Sequence, residues 1–216
     1  TDADLPARFS ATNIAGKEAC RSELCTELGL DPSGPILAMV SRLDAQKGFD
    51  LLAAATPDLI SMGARMCILG TGDKRLVGQL QWLAHQNPGR LAVVDRFDRS
   101  LARRMYAGAD SFLMPSLFEP CGQSQMIAMR YGTPPIVRFT GGLVDTVIDA
   151  DYRPESGNGF GFGPADPGAL VDAVGRAMAA YADRERWSAI VRHAMATDFS
   201  WRGPALEYVA AYQQLT

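Results

Sequence analysis

Histidine is almost missing from this chain. Only His85 and His193 occur, and neither has a cysteine or a second histidine close in sequence. A zinc or iron site needs a cluster of such ligands, so no metal site is expected. Cysteine is scarce too, with Cys20, Cys25, Cys67 and Cys121 at spacings that match no compact disulfide scaffold. Cys67 lies inside an apolar run and reads as a small core residue. Cys20 and Cys25 are five apart on an expected helix, on different faces. Four free thiols are therefore expected, and with them a reducing, cytoplasmic compartment. There is no long Lys/Arg run, and the net charge is −3, which argues against nucleic acid or an anionic membrane as partner. No apolar run is long enough to span a bilayer, and no signal-peptide pattern opens the sequence.

What is present is a regular alternation. The 216 residues suit one large domain or two small ones, and an apolar fraction of 47% supports a sizeable core. Short β-rich runs at 36–40, 65–69, 91–94, 111–114 and 135–137 are separated by helical patterns at 49–62, 73–86, 101–108 and 123–131. Strands alternating with helices imply a parallel sheet covered on both faces, and right-handed crossovers then make it Rossmann-like. A sixth short strand is expected near 159–163. The lead-in, residues 1–30, carries a helix at 17–28 that Gly29 stops. Residues 31–165 form the Rossmann-like unit. Residues 166–216 read as a helical C-terminal extension, with helices at 167–181, 184–196 and 204–215. The stretch 151–163 is rich in Gly, Pro and polar residues and is the expected mobile loop.

The richest motif is Pro115-Ser116-Leu117-Phe118-Glu119-Pro120-Cys121-Gly122. It puts one carboxylate and one thiol after a buried strand and just before a helix. In open α/β sheets, ligands collect beyond the carboxyl ends of strands. Free amides at the helix start attract anions. A carboxylate beside an anion site makes sense for a ligand with two ends, hydroxyls for Glu119 and phosphate for Gly122, Gln123 and Ser124. Ser41-Arg42-Leu43-Asp44-Ala45-Gln46-Lys47-Gly48 follows another strand on the same edge. Arg42 and Lys47 there suit a diphosphate, or they merely cap the loop. Lys47 reads as an exposed loop lysine that folding does not need. Gly70-Thr71-Gly72-Asp73 suggests a dinucleotide fingerprint, but Arg75 occupies the position of its third glycine. A tight strand-to-helix turn explains it as well. Thr140-Gly141-Gly142-Leu143 either lets backbone approach a phosphate or simply turns.

SRLDAQKG, PSLFEPCGQSQ and YGTPPIVRFTGGLVDTV, in that order, resemble the bacterial glycogen/starch synthase family, as do LPARFS near the start and DFSW near the end. The resemblance runs over nearly the whole chain but covers only the C-terminal half of that family's enzyme. It implies the nucleotide-sugar half of a two-domain GT-B glucosyltransferase. The whole enzyme would transfer glucose from ADP-glucose to the non-reducing end of an α-1,4-glucan, with retention and without a metal. ADP-glucose is there a substrate, and no cofactor is implied. The glucan acceptor would need the N-terminal domain, and the chain alone would be inactive. By the same resemblance Glu119, Arg42 and Lys47 do the catalytic work. Phe97, Cys121, Gly122, Gln123, Ser124, Thr140, Gly141 and Gly142 surround the donor. The last helix would cross back over the N-terminal domain. Arg96, Phe97, Leu117 and Phe139 depart from the family pattern. A UDP-glucose-dependent relative and a non-catalytic sugar-nucleotide-binding module are the alternatives.

Overall fold

The computed structural model describes residues 2–214. Six strands form one parallel sheet: β1 (Ile36–Val40), β2 (Arg65–Gly70), β3 (Leu91–Asp95), β4 (Ser111–Met114), β5 (Pro135–Arg138) and β6 (Phe160–Phe162). Their order is β3-β2-β1-β4-β5-β6. The expected strands are all present, with ends differing by a residue or two.

The helices are α1 (Gly16–Leu28), α2 (Phe49–Ser61), α3 (Lys74–Gln86), α4 (Arg99–Gly108), α5 (Ser124–Arg130), α6 (Gly142–Thr146), α7 (Pro167–Ala182), α8 (Arg184–Ala196) and α9 (Arg202–Gln213). Four start on an aspartate whose side chain accepts from the first turn: Asp73 for α3, Asp98 for α4, Asp166 for α7 and Asp183 for α8. Such caps satisfy amides that have no partner inside the helix. α6 and the 3₁₀ turn Ala45–Lys47 were not expected.

Side chains alternate across the sheet with the strand's period of two. Leu37, Met39, Met66, Ile68, Leu113 and Ile136 enter the core under α2, α3, α7 and α8. Ile36, Ala38, Cys67, Leu69, Phe112, Met114 and Val137 enter the core under α1, α4 and α5. Both faces are covered, so the central strands are apolar apart from Arg65 and Ser111 at the starts of β2 and β4. Cys67 is fully buried, and burial pushes its thiol pKa far up. All four cysteines are free, and Cys121 is exposed. No helix among the described residues is long and apolar enough to cross a membrane.

The segment 151–163 differs from expectation. Its second half is buried and carries β6. Asp149 Oδ2 accepts from Gly161 N at 2.7 Å, and Asn158 Oδ1 accepts from Ile148 N at 2.8 Å. Arg176 on α7 bonds Asp149 at 3.1 Å and Asp151 at 2.6 Å, and Arg186 on α8 also pairs with Asp151. Distant arginines thus hold a stretch whose composition alone suggests looseness.

The described part of α9 has no buried residue; Leu206, Tyr208, Val209 and Tyr212 all face solvent. The expected end of this helix at residue 215 lies outside the described residues.

Lys17 stabilises the opposite, amino edge of the sheet. Its ammonium donates to Ala107 O at 2.8 Å, Tyr131 O at 3.2 Å and Thr133 Oγ1 at 2.7 Å. It thereby closes the carboxyl ends of α4 and α5, where a cation is favoured. Burial pushes its pKa down to about 8 all the same. Lys17→Met should lower the unfolding free energy by about 2–4 kcal/mol at pH 7, measured by urea denaturation. The unfolded chain keeps the lysine proton up to the ordinary value of 10.5, whereas the folded chain loses it near 8. Stability contributed by this group therefore rises with pH between those values, and the gap between native and variant should widen there.

Candidate active site

The strand order reverses between β1 and β4, which lie side by side. At such a reversal the loops leaving the two strands diverge to opposite faces and open a crevice beyond the carboxyl ends. Here those loops are 41–48 and 115–123, the two segments singled out from sequence. A cavity of about 430 Å³ lies there, lined by Ser41, Lys47, Ser116, Glu119, Cys121 and Gln123 among others.

The two loops are tied together by backbone. Leu117 N donates to Gln46 O at 2.8 Å, and the Gln46 side chain donates to Phe118 O at 3.2 Å. Gly48 has φ 78°, and a Cβ there would lie 2.1 Å from the Pro115 carbonyl oxygen. Glycine is therefore required both for its conformation and for the close approach. This spacing brings Lys47 Nζ to 2.7 Å from Glu119 Oε2, with side chains only 18% and 8% exposed. Ser116 Oγ donates to the same carboxylate oxygen at 3.2 Å. Glu119 Oε1 accepts nothing from the protein among the described residues. Lys47 Nζ has no other protein acceptor among the described residues, which leaves two ammonium protons free. Lys47 is thus not the exposed loop lysine read from sequence: it is largely buried and pairs with a buried carboxylate.

The backbone amides of Gly122, Gln123 and Ser124 donate to no protein acceptor among the described residues. They edge the same cavity. Gln125 shapes this turn, its Nε2 donating to Cys121 O at 3.3 Å, Gly122 O at 3.1 Å and Thr146 Oγ1 at 3.2 Å. Its Oε1 is buried without a partner.

The remaining candidates stand apart from the cavity wall. Arg42 is on the correct loop, largely exposed, and pairs with Asp44 at 3.1 Å. Phe97 is 84% exposed, beside an Arg96 that bonds Asp98 at 2.9 Å. Thr140, Gly141 and Gly142 do not line the cavity. A Cβ on Gly141 would lie 2.1 Å from Glu119 O, and one on Gly142 would lie 2.4 Å from Cys121 O. These glycines form the bed on which the Glu119 loop rests. Gly70 and Gly72 serve a similar purpose: added Cβ atoms would meet Ser41 O at 1.8 Å and Leu43 O at 2.1 Å. They are packing glycines at a strand-to-helix turn, where Asp73 caps α3. No group of three or more His, Cys, Asp or Glu among the described residues could hold a metal ion.

Residues 21–194 match the family of glycosyl transferases group 1. The chain belongs to that family. Within it the chain is homologous to glycogen synthases. That of Deinococcus deserti is 50% identical over 216 residues, covering 100% of this chain and 45% of the relative. That of Halorhodospira halophila is 45% identical over 216 residues, with the same shares, 100% and 45%. The catalytic domain of starch synthase IV from Arabidopsis thaliana, solved with ADP and acarbose, superimposes with a TM-score of 0.92. It is 35% identical and covers 99% of this chain and 45% of that one. The chain therefore spans less than half the length of these relatives. The resemblance and the Rossmann-like fold class read from sequence are both borne out.

At this cavity, sequence reasoning missed Ser116 and Gln125. Ser116 sits inside the quoted motif, three residues before Glu119, yet nothing local shows that its hydroxyl turns toward that carboxylate. Gln125 looks like any polar residue in a first helical turn.

Two outcomes test the geometry. Lys47→Met should lower the unfolding free energy by about 1–3 kcal/mol, and adding Glu119→Gln should recover part of the loss, since the unpaired buried charge is removed. Gly48→Ala should cost about 2–4 kcal/mol by thermal unfolding, because the backbone contact with Pro115 cannot be kept.

Proposed function

We propose that this chain is the donor-binding half of a retaining glucosyltransferase of the glycogen synthase type, which takes ADP-glucose and extends an α-1,4-glucan. The observation that carries this reading is the Lys47–Glu119 pair with open valences on both partners. It faces a cavity whose other edge has unpaired amides. The free ammonium protons of Lys47 suit diphosphate oxygens, with Arg42 from the same loop as a second cation. The amides of Gly122, Gln123 and Ser124 suit the distal phosphate. Glu119 Oε1 suits sugar hydroxyls, and the exposed Cys121 walls the sugar side. Phe97 offers a ring face to the base, and Thr140, Gly141 and Gly142 back the loop.

The chemistry that follows is leaving-group electrostatics. Charge grows on the departing nucleotide as the glycosidic bond stretches, and fixed cations favour that state more than the ground state. Glu119, buried and paired, orients the sugar rather than acting as a free base. An acceptor wall would come from the part of the longer relatives that lies outside the matched span, so residues 1–216 by themselves should not transfer glucose. The exposed apolar face of α9 fits cover by that same polypeptide. Free thiols fit a reducing cytoplasm.

Isothermal titration should show ADP binding ahead of UDP, and no NAD binding. Lys47→Ala should weaken ADP about ten- to hundredfold. Glu119→Gln should leave ADP affinity nearly unchanged and remove any extra affinity conferred by the glucosyl group of ADP-glucose. The absence of heat or NMR shifts at millimolar ADP would remove the reading. UDP binding ahead of ADP would move it to another nucleotide sugar.

A further inference from the structure

Arg138 is the last residue of β5, and nothing above gives it a role. Its guanidinium has no carboxylate partner among the described residues. Instead Nε donates to Ser116 O at 2.9 Å, Nη2 to Leu117 O at 2.6 Å and Nη1 to Gly163 O at 3.3 Å. A full positive charge is thus spent on three carbonyls, two of them consecutive and both within three residues of Glu119. Charged donors on carbonyls make stronger bonds than neutral ones, and a planar fork fixes direction as well as distance.

We infer that Arg138 is a positioning residue for Glu119. The guanidinium fixes the Ser116 and Leu117 peptides. The Leu117 peptide is held from its other side by Gln46 O at 2.8 Å. Ser116 Oγ, carried on the clamped backbone, then holds Glu119 Oε2 at 3.2 Å, opposite Lys47. Arg138 therefore acts through Ser116 and does not itself line the cavity. A lysine here would keep the charge but lose the planar fork that fixes the direction of both bonds. The consequence for sugar binding rests on the donor-binding reading above, but the geometric claim does not.

The test is a double-mutant cycle in folding stability, using Lys47→Met and Glu119→Gln, run with no nucleotide present. In the native background the pair should be coupled by about tenfold in the folding equilibrium constant. With Arg138→Lys the coupling should fall below about twofold. A clamp that merely supports the fold would lower stability and leave the coupling at its native value, and that result overturns the inference. Ser116→Ala is the second variant, should Arg138→Lys fold poorly. It leaves the clamp intact but removes the link to the carboxylate, so coupling should again be lost, and retained coupling overturns the inference equally. Titration with ADP and ADP-glucose separates the two claims. Arg138→Lys should keep ADP affinity within about threefold while losing any increment from the glucosyl group. If the native chain binds neither ligand, the sugar-nucleotide reading fails, and the coupling measurement still decides the role of Arg138.

Discussion

The contact between Gly48 and the Pro115 carbonyl sets the spacing on which the carboxyl edge of the sheet depends. With no Cβ between them, the loops after β1 and β4 meet backbone to backbone. Only then can a lysine from one loop reach a carboxylate on the other at 2.7 Å. The pair is largely shielded from water, so its attraction is far less screened than on a surface. Gly141 and Gly142 set the height of the same loop from below, again by leaving out a side chain. Chemistry at this edge is therefore placed by absences in the chain as much as by the groups that carry charge.

Two lysines differ in how much of their donor capacity the fold consumes. Lys17 spends its three ammonium protons on Ala107, Tyr131 and Thr133 and has nothing left to offer. Lys47 spends one on Glu119. Both are largely withdrawn from solvent, so burial alone does not tell them apart. The count of unused donors does.

Much of the fold was legible because the central strands are almost wholly apolar and most of the helices are punctuated by Asp or Gly. The Ala45–Lys47 turn and α6 were not, because three or five residues are too few for a periodic pattern to register. Within 151–163 the short strand was expected, but the ties from Arg176 and Arg186, distant in sequence, were not. At the site, Glu119, Lys47 and the Gly122–Ser124 turn were readable as motifs following strands. The burial of Lys47 was not, because it depends on the strand order that sets β1 beside β4. Ser116 and Gln125 escaped for another reason: their partners Glu119, Cys121 and Gly122 lie within four residues, but spacing does not show which way a polar side chain turns in an irregular loop.

The distribution of thiols has a practical side. Cys20, Cys25 and Cys67 are buried, and burial raises the pKa of each thiol, which suppresses the reactive thiolate. Cys121 alone is exposed, and it stands in the wall of the cavity between Glu119 and the free amides. A thiol-selective fluorophore or spin label would thus sort itself to the mouth of the cleft without any engineered cysteine. The native sequence comes with its own attachment point for a spectroscopic reporter of occupancy.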